Sequence, residues 1–268
     1  MAAIWQLDQR SAMGNRRSNT KLDVDGQDGS SPAGAPRIVL IHALLESIAP
    51  AHAALKAEWP GAIVHDLLDT ALLDDALAGA SKPRDMENHM SLLLNVAFQG
   101  APLHRPTRGV LFTCSAFGQA IDATWAAFKL PIVNPTEAAI HAALDYGKDI
   151  VAVVSTAVAT DGLRNDFERY AGAHNPGARL HVLAADGALA ALRQQRREAH
   201  DEALLREIAQ AGTADAILLP QFSTAHVAIA ARQKTTTPIV TAPQAAVRSL
   251  RDQIATQHDA TKCLTRAP

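Results

Sequence analysis

Short apolar runs recur along the chain from Arg37 onward, separated by Ala- and Leu-rich stretches of helical spacing. The runs predict strands over 37–42, 62–67, 109–114, 131–134, 149–155, 179–184, 215–220 and 238–241. The stretches between them predict helices over 70–78, 84–99, 117–129, 136–146, 161–171, 187–211, 223–233 and 243–255. Strands without polar alternation, interleaved with helices, belong in parallel sheets covered on both faces. The fold class is therefore α/β.

One pattern is used twice. A single offset of 107 residues (221 − 114 and 238 − 131) carries Cys114 to Gln221 and Pro131 of one "PIV" to Pro238 of another. The same offset carries Ala138 and Ala139 to Ala245 and Ala246. Strand, polar switch, helix, "PIV" and a second helix at one fixed spacing predict two pseudo-symmetric halves. Their expected bounds are 37–134 and 135–242, with the helix over 243–255 packing back on the first half and a tail over 256–268. Residues 1–36 are polar, aperiodic and rich in Gly, Ser and Asp, and read as a disordered leader. They have no apolar core of a secretory signal.

The chemistry gathers where the pattern repeats. "GVLFTCSAFGQAI" (109–121) ends a strand at Thr113 and Cys114 just as a helix begins, and "AILLPQFSTAHVAI" (216–229) has the same shape with Gln221 at the cysteine position. In open parallel sheets ligands bind beyond the carboxyl ends of the strands, so Cys114 and Gln221 are expected on opposite walls of one cleft. Unpaired N–H groups and the helix dipole at such a place stabilise a thiolate, so the Cys114 pKa is expected below that of a free cysteine, roughly 8.5. Gly118 leaves room for close backbone approach. "HALLES" (42–47) ends the first strand and is expected to put His42, Glu46 and Ser47 at the cleft mouth.

Composition narrows the partners. The chain has 268 residues, 48% of them apolar and 4% aromatic, and a formal charge of −2. No basic block favours nucleic acid, and no apolar run approaches the roughly 18 residues of a membrane span. Two cysteines, Cys114 and Cys263, make no disulfide framework and suit a reducing cytoplasm. The 11 histidines form no zinc pattern, and no nucleotide-binding glycine motif follows a strand, so neither metal nor cofactor is expected. "RQQRREAHDEALLREIAQ" (193–210) reads as an exposed amphipathic helix.

At this point the chain resembles the aspartate/glutamate/hydantoin racemase superfamily, which also holds maleate isomerase and arylmalonate decarboxylase. The resemblance spans roughly Arg37 to Leu250 and rests on "VLFTCSAFGQAI", "ILLPQFSTAHVAI" and "VVSTAVAT" (153–160). It implies cofactor-independent acid–base chemistry at the α-carbon of a small carboxylic acid, with Cys114 as the first catalytic cysteine. Thr113, Ser115, Ala116, Ser155, Thr156, Thr160, Ser223 and Thr224 would hold the substrate carboxylate. Gln221 departs from the pattern, because an amide exchanges no proton near neutral pH. A one-base decarboxylase or lyase is therefore an alternative to a racemase, and a ligand-binding protein without catalysis is an alternative of another class. His226, one turn beyond Gln221, is the nearest candidate for a second acid. Relatives of this kind are often oligomeric, which leaves a homo-oligomer open.

Overall fold

A computed structural model gives the fold of residues 35–79, 82–102, 105–125, 128, 130–172 and 175–265. The predicted leader lies outside these residues except for its last two positions. Strands β1 (Arg37–His42), β2 (Ile63–Leu68), β3 (Thr107–Phe112) and β4 (Ile132–Val133) form one sheet in the order β2-β1-β3-β4. Strands β5 (Asp149–Val154), β6 (Arg179–Ala184), β7 (Ala216–Leu219) and β8 (Ile239–Thr241) form a second in the order β6-β5-β7-β8. Every pairing is parallel. The repeat in the sequence is thus a repeat of topology, with β3 and β4 corresponding to β7 and β8.

The central strands β1, β3, β5 and β7 are buried nearly throughout, as their unbroken apolar runs require. Helices α1 (Ile48–Glu58), α2 (Ala71–Leu77), α3 (Pro83–Gln99) and α4 (Gly118–Trp125) belong to the first half of the chain. The first of these follows "HALLES" and has no counterpart in the sequence-predicted set. Helix α5 (Pro135–Leu144) starts from Asn134, whose side-chain oxygen accepts the Thr136 N–H at 3.0 Å, with Pro135 at the first helical position.

The helix after the last strand of each sheet packs on the other sheet. Helix α5 packs on β7 and β8, while α10 (Ala242–Thr265) packs on α5, α1 and β3. A shared core results, in which Leu111, Val133 and Ile140 meet Leu218, Val247 and Leu250. Gly109 permits the close approach of α10 to β3, because a Cβ there would stand 2.7 Å from Leu250 Cδ1. Helix α10 continues to Thr265, well past the expected end at 255.

Two predicted helices differ in detail. The stretch 187–211 is two helices, α7 (Ala188–Arg193) and α8 (Arg197–Ile208), parted at Gln195, whose φ is +59°. On α8, His200, Leu204 and Ile208 are buried, so one face of this charged segment belongs to the core. The helix expected from 223 begins as a 3-10 segment, Phe222–Val227, and only Ala228–Ala231 is α-helical, as α9. The reason is local: the Thr224 N–H and hydroxyl both donate to the Gln221 carbonyl, which favours the tighter i to i+3 turn. Among the described residues no helix is long and apolar enough to cross a membrane. Helix α6 (Ala159–Gly172) flanks β6 and closes one side of the space between the halves.

Candidate active site

Beyond the carboxyl end of β3, Cys114 is extended (φ −125°, ψ 127°) and starts a 3-10 turn over Ser115–Phe117 that leads into α4. Beyond β7, Gln221 is extended in the same way (φ −102°, ψ 137°) and starts the turn over Phe222–Val227. Both line one cavity of about 540 Å³. Leu73 and Met86 from the first half and Val158, Leu163 and Leu189 from the second give it apolar walls.

The Gln221 amide is oriented. Its oxygen accepts the backbone N–H of Ser155 at 2.7 Å. An N–H needs an acceptor, so this contact assigns the oxygen and leaves the Nε2 hydrogens as the donors of the group. Sequence reasoning placed Ser155 among the residues that hold the substrate carboxylate. Ser155 is not among the residues that line the cavity; its backbone N–H holds Gln221, and its Oγ is buried without a hydrogen-bond partner among the described residues.

Cys114 is half-buried and carries a free thiol. Burial pushes its pKa up to about 11, against a weaker lowering by the Ala116 backbone N–H. This corrects the expected depression of the thiol. The sulfur packs against the apolar cluster that includes Phe112 and Phe117, and that desolvation outweighs the Ala116 N–H. The thiol is protonated at neutral pH.

Beside the residue before the cysteine lies a polar cluster. His42 is fully buried at the end of β1, and its Nε2–H donates to Asp66 Oδ1 at 3.0 Å. Its Nδ1 lies 2.8 Å from Thr113 Oγ1 and 3.2 Å from Ser47 Oγ, and those hydroxyls are 3.0 Å apart. Burial lowers the His42 pKa more than Asp66 raises it, so the ring is neutral and Nδ1 accepts the Thr113 proton. Ser47 and Thr113 reach the cavity; His42 and Glu46 are not among the residues that line it. His42 therefore sits behind the wall and not at the mouth, fully buried among Asp66, Thr113 and Ser47.

Of the residues expected to hold a carboxylate, Thr113, Ser115, Ala116, Thr156 and Ser223 line the cavity. Thr160 does not, and Thr224 is fully buried with its hydroxyl on the Gln221 carbonyl. His226 also lies off the cavity: its Nε2 is 2.6 Å from Asp201 Oδ1, with His200 Nδ1 2.7 Å from the same oxygen. These three ligand atoms lie within 4.8 Å of one another. A metal ion fits them poorly, since a cation on His200 Nδ1 would force the proton onto Nε2, which is buried without a partner. Cys263 lies on α10.

Sequence reasoning missed Asp166. It is 6% exposed and lines the cavity from α6. Its Oδ1 accepts Arg169 Nη2 at 2.7 Å. Arg169 Nη1 reaches Asp122 Oδ2 at 3.1 Å, and Tyr170 donates its hydroxyl to the same carboxylate. Burial raises the Asp166 pKa against the opposing pull of Arg169. A signal was present: Leu163, Asp166, Phe167 and Tyr170 share one face of α6, so this acid stands on the apolar stripe.

No protein-family model and no curated protein matches the sequence. Solved structures do share its fold. An allantoin racemase from Klebsiella pneumoniae matches with a TM-score of 0.63 at 19% identity, covering 83% of this chain and 89% of its own. The aspartate racemase of Picrophilus torridus matches with a TM-score of 0.65 at 10% identity, covering 82% and 95%. A glutamate racemase from Bacillus anthracis matches with a TM-score of 0.62 at 12% identity, covering 84% and 82%. The chain therefore has the two-halved α/β fold of the aspartate, glutamate and allantoin racemases, the fold that the resemblance implied.

Proposed function

We propose that this protein is an isomerase of the racemase type, which moves a proton at the α-carbon of a small carboxylic acid with Cys114 as the proton carrier. The observation that carries the reading is the placement of Cys114 and Gln221 at equivalent strand ends on the walls of one cavity. The racemases that share the fold support it. Once deprotonated, Sγ takes the α-proton and the C–H electron pair moves into the carboxyl group as an enediolate. Gln221 Nε2 and the N–H groups of the two turns supply donors to that charge. Sγ–H can return the proton to the face it came from, and inversion takes a proton from solvent on the Gln221 side, because the amide has none to exchange. The thiol must first lose its own proton, and we assign its removal to the neutral His42 ring, which bonds the hydroxyl of the neighbouring residue Thr113.

The protonated thiol also favours a second reading. A thiol held to about 11 is an acid before it is a base. In a decarboxylase the C–C bond of a malonate-type acid breaks, CO2 leaves and the electron pair stays as an enediolate. Cys114 then gives its proton to carbon and recovers one from solvent. The test is proton NMR in D2O with amino acids, hydantoins, arylmalonates and maleate, beside a Cys114→Ala sample. Deuterium at an α-position supports the racemase reading, and loss of CO2 the second. Binding without change in either sample makes the protein a non-catalytic binder.

A further inference from the structure

The two halves meet beside the cavity at two junctions, and these are held unequally. At the first, α4 faces α6. Asp122 of α4 bonds Arg169 and Tyr170 of α6, and its other oxygen accepts the Asn134 amide at 3.0 Å. Asn134 also donates to the Tyr170 hydroxyl at 2.7 Å, and Arg169 bonds Asp166 and lies over the Tyr170 ring. Asn134 is buried and caps α5, so this junction is a network tied to the shared core.

At the second junction α2 faces α7, and an ion pair spans the halves. Arg193 Nη2 lies 3.1 Å from Asp74 Oδ1. Their side chains are 43% and 66% exposed, and neither has another side-chain partner among the described residues. An exposed pair of this kind shifts an equilibrium by about fivefold at most, and salt screens it.

The elements that carry this pair have little else to fix them. β2 and β6 are the outer strands of the two sheets, and α2 and α7 follow them, so the repeat makes the two helices counterparts. They are seven and six residues long, too short to be stable without packing. Left-handed residues bound them: Gly187 (φ +83°) and Gln195 (φ +59°) flank α7, and Gly79 (φ +63°) follows α2. A Cβ at Gly79 or Gly187 would meet nothing within 4 Å, so both turns have open space in which to rotate. Each helix also carries part of the cavity wall, Leu73 beside Asp74 and Leu189 one turn before Arg193. Parting the two charges therefore draws those two side chains apart.

We propose that Asp74 and Arg193 are the latch of a gate: α2 and α7 part to admit a ligand to the cavity, while the α4–α6 junction stays closed as the hinge. The gate depends on the cavity alone and not on the reaction assigned to it.

Access to Cys114 reads the gate. Alkylation by iodoacetamide and by the bulkier N-(1-pyrenyl)maleimide is followed on the Cys114 peptide by mass spectrometry, so that Cys263 does not count. The ratio of the bulky to the small reagent's rate cancels the ionisation of the thiol, which both reactions share. Asp74→Asn and Arg193→Gln should each raise that ratio about three- to fivefold, the scale of one exposed ion pair. The charge-exchanged double variant Asp74→Arg/Arg193→Asp should bring it back toward wild type. From about 0.05 to about 0.5 M NaCl the ratio should rise in wild type and stay level in the single variants. Arg169→Gln, on the hinge side, should lower Tm without raising the ratio. Single variants with the wild-type ratio overturn the proposal, as does a rise in both rates together or a double variant as open as the singles. A larger rise in Arg169→Gln than in the single variants places the opening at α4–α6 and overturns it too. A protein that passes these tests but exchanges no α-proton keeps the gate and loses the catalytic reading. Exchange with an unchanged ratio does the reverse.

Discussion

The side-chain oxygen of Gln221 accepts the backbone N–H of Ser155 at 2.7 Å, and so the second wall offers the cavity an amide donor in place of a thiol. The Gln221→Glu variant keeps an acceptor for Ser155 but loses the Nε2 donors and adds a charge beside a developing enediolate. Turnover of the substrate found by NMR is expected to fall on the order of 10²–10³-fold, as when an oxyanion donor is removed. Thermal melting should show little change. A variant that keeps wild-type turnover removes Gln221 from the site chemistry.

Alkylation of Cys114 should rise with pH toward about 11 in the ligand-free protein, not level off below 8. The sign for stability follows from the same shift. Folding favours the protonated thiol, so its contribution is complete below the unfolded-state pKa, roughly 8.5, and declines as pH rises toward about 11. Iodoacetamide rates and denaturant midpoints between these limits, compared with Cys114→Ala, check both statements. A plateau near neutral pH would show an activated thiolate.

His42 behaves in the opposite direction. Burial lowers its pKa in the folded state, so its contribution is present above the unfolded value, roughly 6.5, and is lost as pH falls through the depressed folded value. Asp66, which the two histidines His42 and His52 hold below the usual carboxylate range despite its partial burial, extends that loss to lower pH. Urea unfolding at pH 7 and pH 5 should therefore show a smaller acid loss in His42→Gln than in wild type. A parallel loss in both would place the acid sensitivity elsewhere.

The α-proton exchange rate should fall in His42→Gln if the ring draws the thiol proton through Thr113. About 10²-fold is the scale of a lost general base. Partial recovery at high pH, where hydroxide can ionise Cys114 directly, separates this role from simple misfolding. A deficit that does not change with pH points to a structural effect.

Leu250→Ala should lower stability by about 2–5 kcal/mol, because the side chain is fully buried where α10 crosses to β3. At roughly 2–4 °C per kcal/mol for a chain of this size, the melting shift is easily read by calorimetry. A shift under 1 °C would mean that α10 does not anchor the first half.

The sequence determined the sheets and the symmetry of this protein. β1 and β6 lie where apolar runs predicted them, and the offset that pairs Cys114 with Gln221 reappears as one strand order used twice. These features are local or periodic: short β-branched runs between helical stretches favour strands, and a repeated run repeats its place in the sheet. Cleft placement followed in the same way, since carboxyl ends of parallel strands share one side.

What the tertiary structure alone decided is the electrical state of the site. Position in the chain suggested an activated Cys114, but its pKa depends on burial against the cluster of Phe112 and Phe117. Asp166 was passed over in the sequence, and only the packing of α6 brings it against Gly118. His42 acquired Asp66 and Thr113 across 24 and 71 residues of chain. Solvent exclusion and long-range partners set ionisation and donor direction, and neither is written in the spacing of the letters.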